Sequence, residues 1–364
     1  MAAGLFSSEA TMDILSRDHF VAHRSTVPAI AGQPVELFVR ERSPATGATP
    51  GLPPIVLVHG GFWPGTLAFD SPLPGYSLME SLAQAGFATF APDMMGYGRS
   101  PRPMMDDPAN LSAEQKTLIG LDPSAKPSYP FQLVNAASER DDLNTVVDFV
   151  RARTKSDKVL LFGWSGGGFR TGTYTALHPE KVESLFILAS SNFEEKDSVL
   201  DSPPPLPHRG ATFQIQDRKT GEGERWLSRL KDKDQVEPHI PDFIWRESMA
   251  SDPVGAAWGT GVLRSPGRTY WGWNVRVAPL VTVPTMVFVG EEDRLIAANR
   301  LLFERLGTDR KVFVAAASAT HFMLWERGRR YLADAAREWF LKRTFREAAR
   351  GTYRLAPDGS LILG

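Results

Sequence analysis

Cysteine is absent from the 364 residues of this chain. Its absence excludes disulfide bonds, thiolate catalysis and zinc sites built on cysteine. No segment approaches the roughly 18 to 20 consecutive apolar residues that a membrane-spanning helix requires. Residues 1–18 also lack the basic start and the apolar stretch of a signal peptide. We therefore expect a cytoplasmic protein without a membrane span, although a signal peptide removed beforehand would leave no trace in the sequence.

An excess of charge of either sign is missing as well. The 41 Lys and Arg residues nearly balance the 42 Asp and Glu residues, which gives a formal net charge of -1 without a long run of one sign. Binding to nucleic acids or acidic membranes usually shows as a basic patch or run. Histidine and acidic residues are not clustered at the spacing of metal ligands. We therefore predict no nucleic-acid partner, no metal site and no cofactor.

Apolar segments follow one another in a pattern typical of an α/β fold. Residues 35–40 alternate apolar and polar side chains, as an edge strand does. Amphipathic helical stripes, such as Leu143, Val146, Val147 and Val150, lie between the predicted strands. The sequence therefore predicts a mostly parallel central sheet with helices on both faces. Continuous apolar runs, typical of strands buried on both faces, cover residues 55–58, 87–91, 159–162, 182–189, 285–289 and 312–316.

Two segments interrupt this alternation. Residues 101–135 are rich in Pro, Met and Asp without a period, which predicts a long ordered loop. Residues 191–280 hold five of the nine tryptophans and are too long for a structureless loop in a compact domain. We predict that this second segment is an inserted, mostly helical cap, with residues 1–190 and 281–364 as two parts of the core. A turn between apolar flanks predicts a small hairpin over residues 353–363.

The most informative stretch is residues 163–167, which read Gly-Trp-Ser-Gly-Gly directly after a predicted strand. A strand, a tight glycine-lined turn and a helix start form the context of a nucleophile elbow. The glycines let two backbones pass closely, and the helix N-terminus leaves amide N–H groups free to face developing negative charge. Ser165 is thus placed to attack a carbonyl carbon. The plainer interpretation is a serine that caps the following helix, but capping does not require glycine on both sides.

Further motifs occur in an order that one family shares. Residues 59–62, His-Gly-Gly-Phe, follow one predicted strand, and residues 93–100 follow the next. Asp293 and His321 follow the last two predicted strands. In this combination, over residues 33–345, the chain resembles the α/β-hydrolase fold superfamily, and in particular its capped, esterase-like serine hydrolases.

The resemblance implies a catalytic triad. Ser165 would be the nucleophile, His321 the base that takes its proton, and Asp293 the acid that orients the imidazole and stabilises its cation. A lone histidine is more often structural, but His321 follows the last predicted core strand, as the family's catalytic histidine does. His59 and His178 lie where the histidines of the family usually support loops.

The identity of the acid has alternatives. Glu292 is the direct neighbour of Asp293, which could itself be a turn residue that caps the next helix. Some relatives take the acid from the end of the preceding strand, which here indicates Asn192 or Glu194. Asp93 is interpreted as part of a turn scaffold and not as a member of the triad.

An oxyanion hole would complete the machinery, because acyl transfer passes through a negatively charged tetrahedral intermediate. One donor is expected to be the backbone N–H of Gly166, the residue after the nucleophile. The other is expected from the loop at Gly61 or Phe62, and the spacing does not choose between them.

Aromatic and methionine side chains are the candidates for substrate binding. Trp164 is expected to pack beside the nucleophile, and Met94 and Met95 could form an adaptable apolar wall, although Met is more often a core residue. Residues 191–280 are rich in tryptophan, and we expect at least one of these side chains to face the substrate. Trp271 is the candidate chosen from this group. The predicted partner is a hydrophobic small-molecule substrate, and the sequence is also compatible with a homodimer.

The resemblance implies a serine hydrolase that cleaves a carboxylic ester of a bulky apolar or aromatic compound through an acyl-enzyme. The same triad also serves lactonases, amidases, carbon–carbon bond hydrolases and acyltransferases, and the sequence does not separate them. A hydrolase-fold receptor for small molecules, with little turnover, is the alternative from another class of protein.

Overall fold

The chain folds around one ten-stranded sheet, seen in a computed structural model that describes residues 12–193, 195, 203–219 and 222–364. The described strands are β1 Ile14–Arg24, β2 Pro34–Pro44, β3 Ile55–Val58, β4 Thr89–Pro92, β5 Val134–Asn135, β6 Val159–Trp164, β7 Val182–Leu188, β8 Phe213–Gln216, β9 Leu263–Pro266, β10 Arg268–Thr269, β11 Thr285–Gly290, β12 Lys311–Ala316, β13 Gly351–Leu355 and β14 Leu361–Leu363. The described α-helices are α1 Gly65–Phe69, α2 Leu78–Gln84, α3 Ala113–Leu118, α4 Ala136–Thr154, α5 Gly166–Leu177, α6 Glu222–Ser228, α7 Ile240–Ser251, α8 Pro253–Ala256, α9 Ile296–Arg305 and α10 Arg329–Lys342.

The large sheet is mostly parallel. Its strand order is β1-β2-β4-β3-β6-β7-β11-β12-β13-β14. All neighbours from β4 to β13 pair in parallel, and the antiparallel pairs lie at the two ends. Every residue of β3, β6 and β11 is buried. Since successive side chains of a strand point to opposite faces, both faces of the sheet centre are covered, as the sequence predicted.

The core helices bury the apolar stripes that predicted them. In α4, Leu143, Val146, Val147 and Val150 are all buried, and Asn135 caps the helix by accepting the amides of Ala137 and Ser138 at 3.0 Å each. This helix packs on α5, which in turn contacts β3, β6 and β7. None of the described helices combines the length and the apolar character needed to cross a bilayer.

Strand β1 of the main sheet was not predicted from the sequence. Residues 35–40 form part of strand β2 as predicted. Their predicted place at the edge of the sheet is wrong, because β1 pairs along the outer side of β2. Seven of the eleven residues of β1 are exposed, and the exposed apolar residues Leu15 and Phe20 break any apolar alternation. Polar contacts join the two strands instead, including His19 to Glu41 at 2.7 Å and Arg40 to Asp18 at 2.6 Å.

The C-terminal hairpin prediction is confirmed. Strands β13 and β14 pair antiparallel around a turn at residues 356–360. Beyond the prediction, β13 also pairs in parallel with β12 and so extends the main sheet. The backbone groups of β12 are therefore paired on both sides.

The described part of the segment between β7 and β11, called the β7–β11 segment (residues 189–284), is less helical than predicted. Its described part contains α6, α7 and α8, but also an antiparallel pair formed by β8 and β9. Strand β10 pairs with β5 from the predicted loop, residues 101–135, which itself contains the short helix α3. The division of the chain into a core and a cap at residues 191–280 stays a prediction.

Candidate active site

Ser165 lies at the junction between β6 and α5 with φ 55° and ψ −116°. A residue other than glycine adopts such a backbone only where its surroundings enforce it, and strain of this kind concentrates at functional sites. Its neighbours explain the fold locally. A Cβ on Gly163 would lie 2.3 Å from Oγ1 of Thr171, and one on Gly167 would lie 1.9 Å from the carbonyl oxygen of Val58. The elbow therefore requires glycine at both positions.

The loop after β3 packs directly on this serine. A Cβ on Gly60 would lie 2.8 Å from Cβ and 3.3 Å from Oγ of Ser165. The Ser165 amide donates to the carbonyl of Leu188 at 2.9 Å, which ties the elbow to the end of β7. The Ser165 side chain thus occupies the space that Gly60 leaves free.

His321 and Asp293 form a hydrogen-bonded pair. Nδ1 of His321 lies 2.7 Å from Oδ2 of Asp293, whose side chain is fully buried. Oδ1 of Asp293 accepts the amide of Leu295 at 2.9 Å. Burial acts to raise the pKa of Asp293, but the charge and the hydrogen bond of His321 outweigh it and hold that pKa below its ordinary value. Asp293 is therefore ionised and directed at the imidazole.

The other candidate acids point elsewhere. Oε2 of Glu292 accepts the amide of Ala319 at 2.8 Å, and its Oε1 lies 2.6 Å from Nζ of Lys231. The side-chain amide of Asn192 donates to Oγ of Ser191 at 3.0 Å. Glu194, the remaining alternative, lies outside the described residues. The structure thus brings Asp293, and not Glu292 or Asn192, to the histidine.

Trp164 connects the nucleophile to the histidine. Its indole Nε1 donates to the carbonyl oxygen of His321 at 3.0 Å, and the two rings lie 5.8 Å apart. No hydrogen bond joins the Ser165 hydroxyl to the imidazole among the contacts of the described residues. Such bonds are often long in unliganded sites and shorten when substrate binds.

The candidate oxyanion donors lie in two segments, the start of α5 and the loop after β3. Gly166 is the first residue of α5, so no carbonyl of its own helix can accept its N–H. In the facing loop, the Trp63 amide donates to the carbonyl of Gly61 at 2.8 Å and closes a three-residue turn over Phe62, whose φ is 67°. Turns with this positive central φ are rare and strained. Gly61 and Phe62 both stay candidates for the second oxyanion donor.

His59 and Asp93 act as scaffold in this loop region. Nε2 of His59 accepts the Met94 amide at 3.0 Å, and its Nδ1 donates to the Gly60 carbonyl at 2.8 Å. Burial, together with the charges of two arginines, holds the pKa of His59 well below its usual value, so the ring is neutral. The Asp93 carboxylate accepts the amides of Gly65 and Arg99, each at 2.9 Å, and burial raises the pKa of Asp93 to about 6.

An aromatic cavity of about 70 Å³ is lined by Trp63 and Phe322, which directly follow Phe62 and His321 in the chain. Trp164 packs on its wall, with its ring 6.0 Å from that of Trp63. Of the predicted substrate-binding residues, Met94 and Met95 are buried in the core and Trp271 lies 5.7 Å from the guanidinium of Arg140, so none of these three lines the cavity. Its walls include Trp63, Trp226, Ile244, Trp245, Phe322 and Trp325.

Two buried charged residues near the site were not predicted. Glu326 accepts hydrogen bonds from Nε1 of Trp226 at 2.8 Å, from the side chain of Gln235 at 3.1 Å and from the amide of Thr320 at 3.0 Å. It thereby joins the β7–β11 segment to the loop just before His321. Arg268 lies beside Gly166. The apolar run Met-Leu-Trp directly before Glu326 was the available sequence signal for that residue; Arg268 has no comparable one.

Comparison with known proteins agrees with this architecture. The family model described as the alpha/beta hydrolase fold matches residues 53–328. The 1-acylglycerol-3-phosphate O-acyltransferase ABHD5 of Rattus norvegicus is 25% identical over 154 residues, and the Homo sapiens protein is 25% identical over 162 residues. Each match covers 42% of this chain and only 34% of the relative.

Solved structures match over most of the chain. A thermophilic esterase from Thermogutta terrifontis covers 89% of this chain and 98% of its own, with a TM-score of 0.54 and 18% identity. Naproxen esterase from Bacillus subtilis covers 91% of this chain and 93% of its own, with a TM-score of 0.54 and 14% identity. At such identities the likeness shows a common fold and nothing beyond it.

Proposed function

Because this chain belongs to the α/β-hydrolase fold family, we propose that it is a serine hydrolase that cleaves carboxylic esters through an acyl-enzyme intermediate. The observation that carries the proposal is the strained backbone of Ser165, with φ 55° and ψ −116°, at the start of α5. A capping serine needs no such strain, whereas an elbow that presents a nucleophile does. The ionised Asp293 at 2.7 Å from His321 supports the same function.

Acylation would use each group in one role. His321 takes the proton of Ser165 as its Oγ attacks the ester carbonyl, and Asp293 stabilises the resulting imidazolium. The oxyanion of the tetrahedral intermediate is held by the Gly166 N–H and by a second amide from Gly61 or Phe62. Collapse of the intermediate breaks the bond to the alkoxy oxygen, which leaves as an alcohol with the proton from His321. The acyl group then remains on Ser165.

Deacylation repeats these steps with water as the attacking group. His321 takes a proton from a water molecule that attacks the acyl carbon, and the same amides hold the second oxyanion. Its collapse releases the carboxylic acid and returns the proton to Ser165. The aromatic cavity supports an ester with a bulky apolar or aromatic part, because its walls are largely aromatic and aliphatic.

A second candidate function is acyl transfer. The matched relatives are named as an O-acyltransferase, and the match covers only 42% of this chain. An alcohol would then replace water as the group that attacks the acyl-enzyme, with no other change in the roles of the triad.

The test is hydrolysis of benzyl and p-nitrophenyl esters with short and long acyl chains, combined with labelling by a fluorophosphonate. We expect turnover and covalent labelling of the wild type, and a loss of kcat on the order of 10⁴ to 10⁶ in Ser165→Ala. Added glycerol separates the two candidates, because a transferase would convert the ester into acylglycerol in place of free acid. Absent turnover of every ester, with tight binding of an apolar compound, would instead indicate a receptor.

A further inference from the structure

Arg268 places a buried guanidinium beside the proposed oxyanion site. It begins β10, directly after β9, and its side chain is only 6% exposed. A Cβ built on Gly166 would lie 3.3 Å from Nη1 of Arg268. Since an amide nitrogen lies about 2.5 Å from the Cβ of its own residue, this cationic nitrogen lies within about 6 Å of the Gly166 nitrogen. The positive charge therefore borders the space around the nucleophile.

The contacts of Arg268 leave donors unused. Nη1 donates to the Tyr270 hydroxyl at 2.9 Å, Nη2 donates to the Tyr97 hydroxyl at 2.5 Å, and Nη2 lies 3.3 Å from Oε1 of Glu139. The buried Nε has no hydrogen-bond partner among the described residues. A guanidinium has five N–H donors, and an unpaired buried one is costly. Such a group calls for a partner; in this structure the two tyrosines and Oε1 of Glu139 do not reach Nε, and Oε2 of Glu139 is itself unpaired among the described residues.

The charges of this cluster do not balance. Glu139 accepts Nε and Nη2 of Arg170 on the same Oε1, at 3.0 and 2.7 Å, that also faces Arg268. Arg170 lies close to the site as well, because its Nη1 would be 3.7 Å from a Cβ on Gly166. Burial acts to lower the pKa of Arg268, but Glu139 and the two tyrosines hold it well above its ordinary value. Two cations therefore share one carboxylate, which leaves one positive charge unmatched in this cluster.

We propose that Arg268 is a specificity-determining residue that binds a carboxylate on the substrate, so that the preferred esters are half-esters of short dicarboxylic acids. The proposal rests on the function proposed for Ser165. A planar carboxylate matches the geometry of a guanidinium and supplies the missing negative charge. The short distance from Arg268 to Gly166 requires only a few carbon atoms between the carboxylate and the scissile carbonyl. The apolar alcohol part of the same ester would occupy the aromatic cavity.

The experiment compares charged and neutral esters of one chain length. Monobenzyl succinate and monobenzyl glutarate are paired with benzyl butyrate and benzyl pentanoate, and release of benzyl alcohol gives kcat/KM for each. In the wild type the half-ester of one pair is preferred. In Arg268→Met, the ratio of half-ester to neutral kcat/KM falls by about 10- to 100-fold, the effect of one charged hydrogen-bonded contact. Arg268→Lys keeps the charge and loses less.

Controls separate this role from a structural one. Arg337→Met removes the same charge from the exposed surface of α10 and leaves the ratio as in the wild type. Thermal melting of the Arg268 variants shows whether they fold. Equal losses on the charged and neutral esters, or a wild type without preference for any half-ester, overturn the proposal.

Binding without turnover separates this proposal from the proposed function. Monobenzyl glutarate is titrated calorimetrically into Ser165→Ala protein with and without Arg268→Met. If the wild type hydrolyses no ester but binding depends on Arg268, the proposal of a carboxylate site stands and the proposed hydrolase function is wrong. Turnover of neutral esters, with half-ester binding that does not depend on Arg268, would retain the hydrolase and overturn the carboxylate site.

Discussion

Nδ1 of His321 lies 2.7 Å from Oδ2 of Asp293, although the two residues are 28 positions apart in the chain. Asp293 follows β11 and His321 follows β12, and these strands are parallel neighbours in the sheet. The carboxyl ends of parallel strands meet at one edge, so residues that follow them come together there. Ser165 follows β6 at that same edge of the sheet.

Asp293→Asn is expected to lower kcat for ester hydrolysis by about 10³- to 10⁴-fold, because an amide stabilises neither the required tautomer nor the imidazolium. The measurement is steady-state kinetics on one benzyl ester. Glu292→Gln is the matched control, since Glu292 faces Ala319 and Lys231 and a glutamine can still accept the Ala319 amide. A larger loss of kcat in Glu292→Gln than in Asp293→Asn would contradict the assignment of the acid.

Gly60→Ala is expected to lower the free energy of unfolding by about 1 to 3 kcal/mol, the usual cost of overpacking. The new Cβ would lie 2.8 Å from Cβ of Ser165 and 3.3 Å from the Trp164 carbonyl oxygen. Gly61→Ala is the control, because its Cβ would meet only Oγ of Ser265 at 3.8 Å. Urea unfolding of both variants checks the expectation. Equal stability of the two variants would show that the loop accommodates the added methyl group without a loss of stability.

Ile244→Phe is expected to reduce the size of the acyl or alcohol group that the enzyme accepts. Ile244 is buried in the wall of the aromatic cavity, and the larger ring would fill part of its 70 Å³. We expect kcat/KM for a bulky ester to fall about tenfold relative to an acetate ester, the scale of a lost methylene site. Val254→Phe adds the same ring on exposed α8 and serves as control. An unchanged ratio in Ile244→Phe would place the substrate elsewhere.

The pair His23 and Asp142 makes stability depend on pH. Burial raises the pKa of Asp142 to about 6, and the Asp142 carboxylate, 3.1 Å from Nε2 of His23, raises the pKa of His23. Both pKa values exceed those of the unfolded chain, so the native state holds more protons. The free energy of unfolding contributed by this pair therefore falls as pH rises from about 4 to about 7.

Urea unfolding at pH 4.5 and 7.5 tests this linkage with Asp142→Asn. The wild type is expected to lose stability relative to this variant between the two pH values, on the order of 2 kcal/mol. Asp141→Asn is the matched control, because its neighbouring carboxylate is 43% exposed and lies 4.0 Å from His23. A constant difference between the wild type and Asp142→Asn would contradict the linkage.

The sequence predicts the parts of this protein that rest on local rules. The elbow around Ser165 requires glycines at fixed offsets, and buried parallel strands require continuous apolar runs, so both are visible in the chain itself. The order of Ser165, Asp293 and His321 follows from the way the strands are connected. These features needed no knowledge of distant contacts.

Long-range contacts decide the rest, and the sequence does not display them. Strand β1 forms because it pairs with β2, and its own sequence shows no regular apolar alternation. Arg268 is buried because Tyr97 and Glu139, from distant segments, pack around it together with its neighbour Tyr270. Trp271, chosen for its place among dense tryptophans, faces Arg140, whereas Trp226 and Trp245 line the cavity. Composition shows that aromatic residues are abundant, but only packing shows which of them meet an empty space.

Glu326 gives the β7–β11 segment and the histidine loop a shared anchor. Any outward movement of α6 that carries Trp226 away must break a hydrogen bond to the carboxylate that also holds the Thr320 amide, one residue before His321. The packing of α6 and the position of the residue before His321 therefore depend on one buried carboxylate.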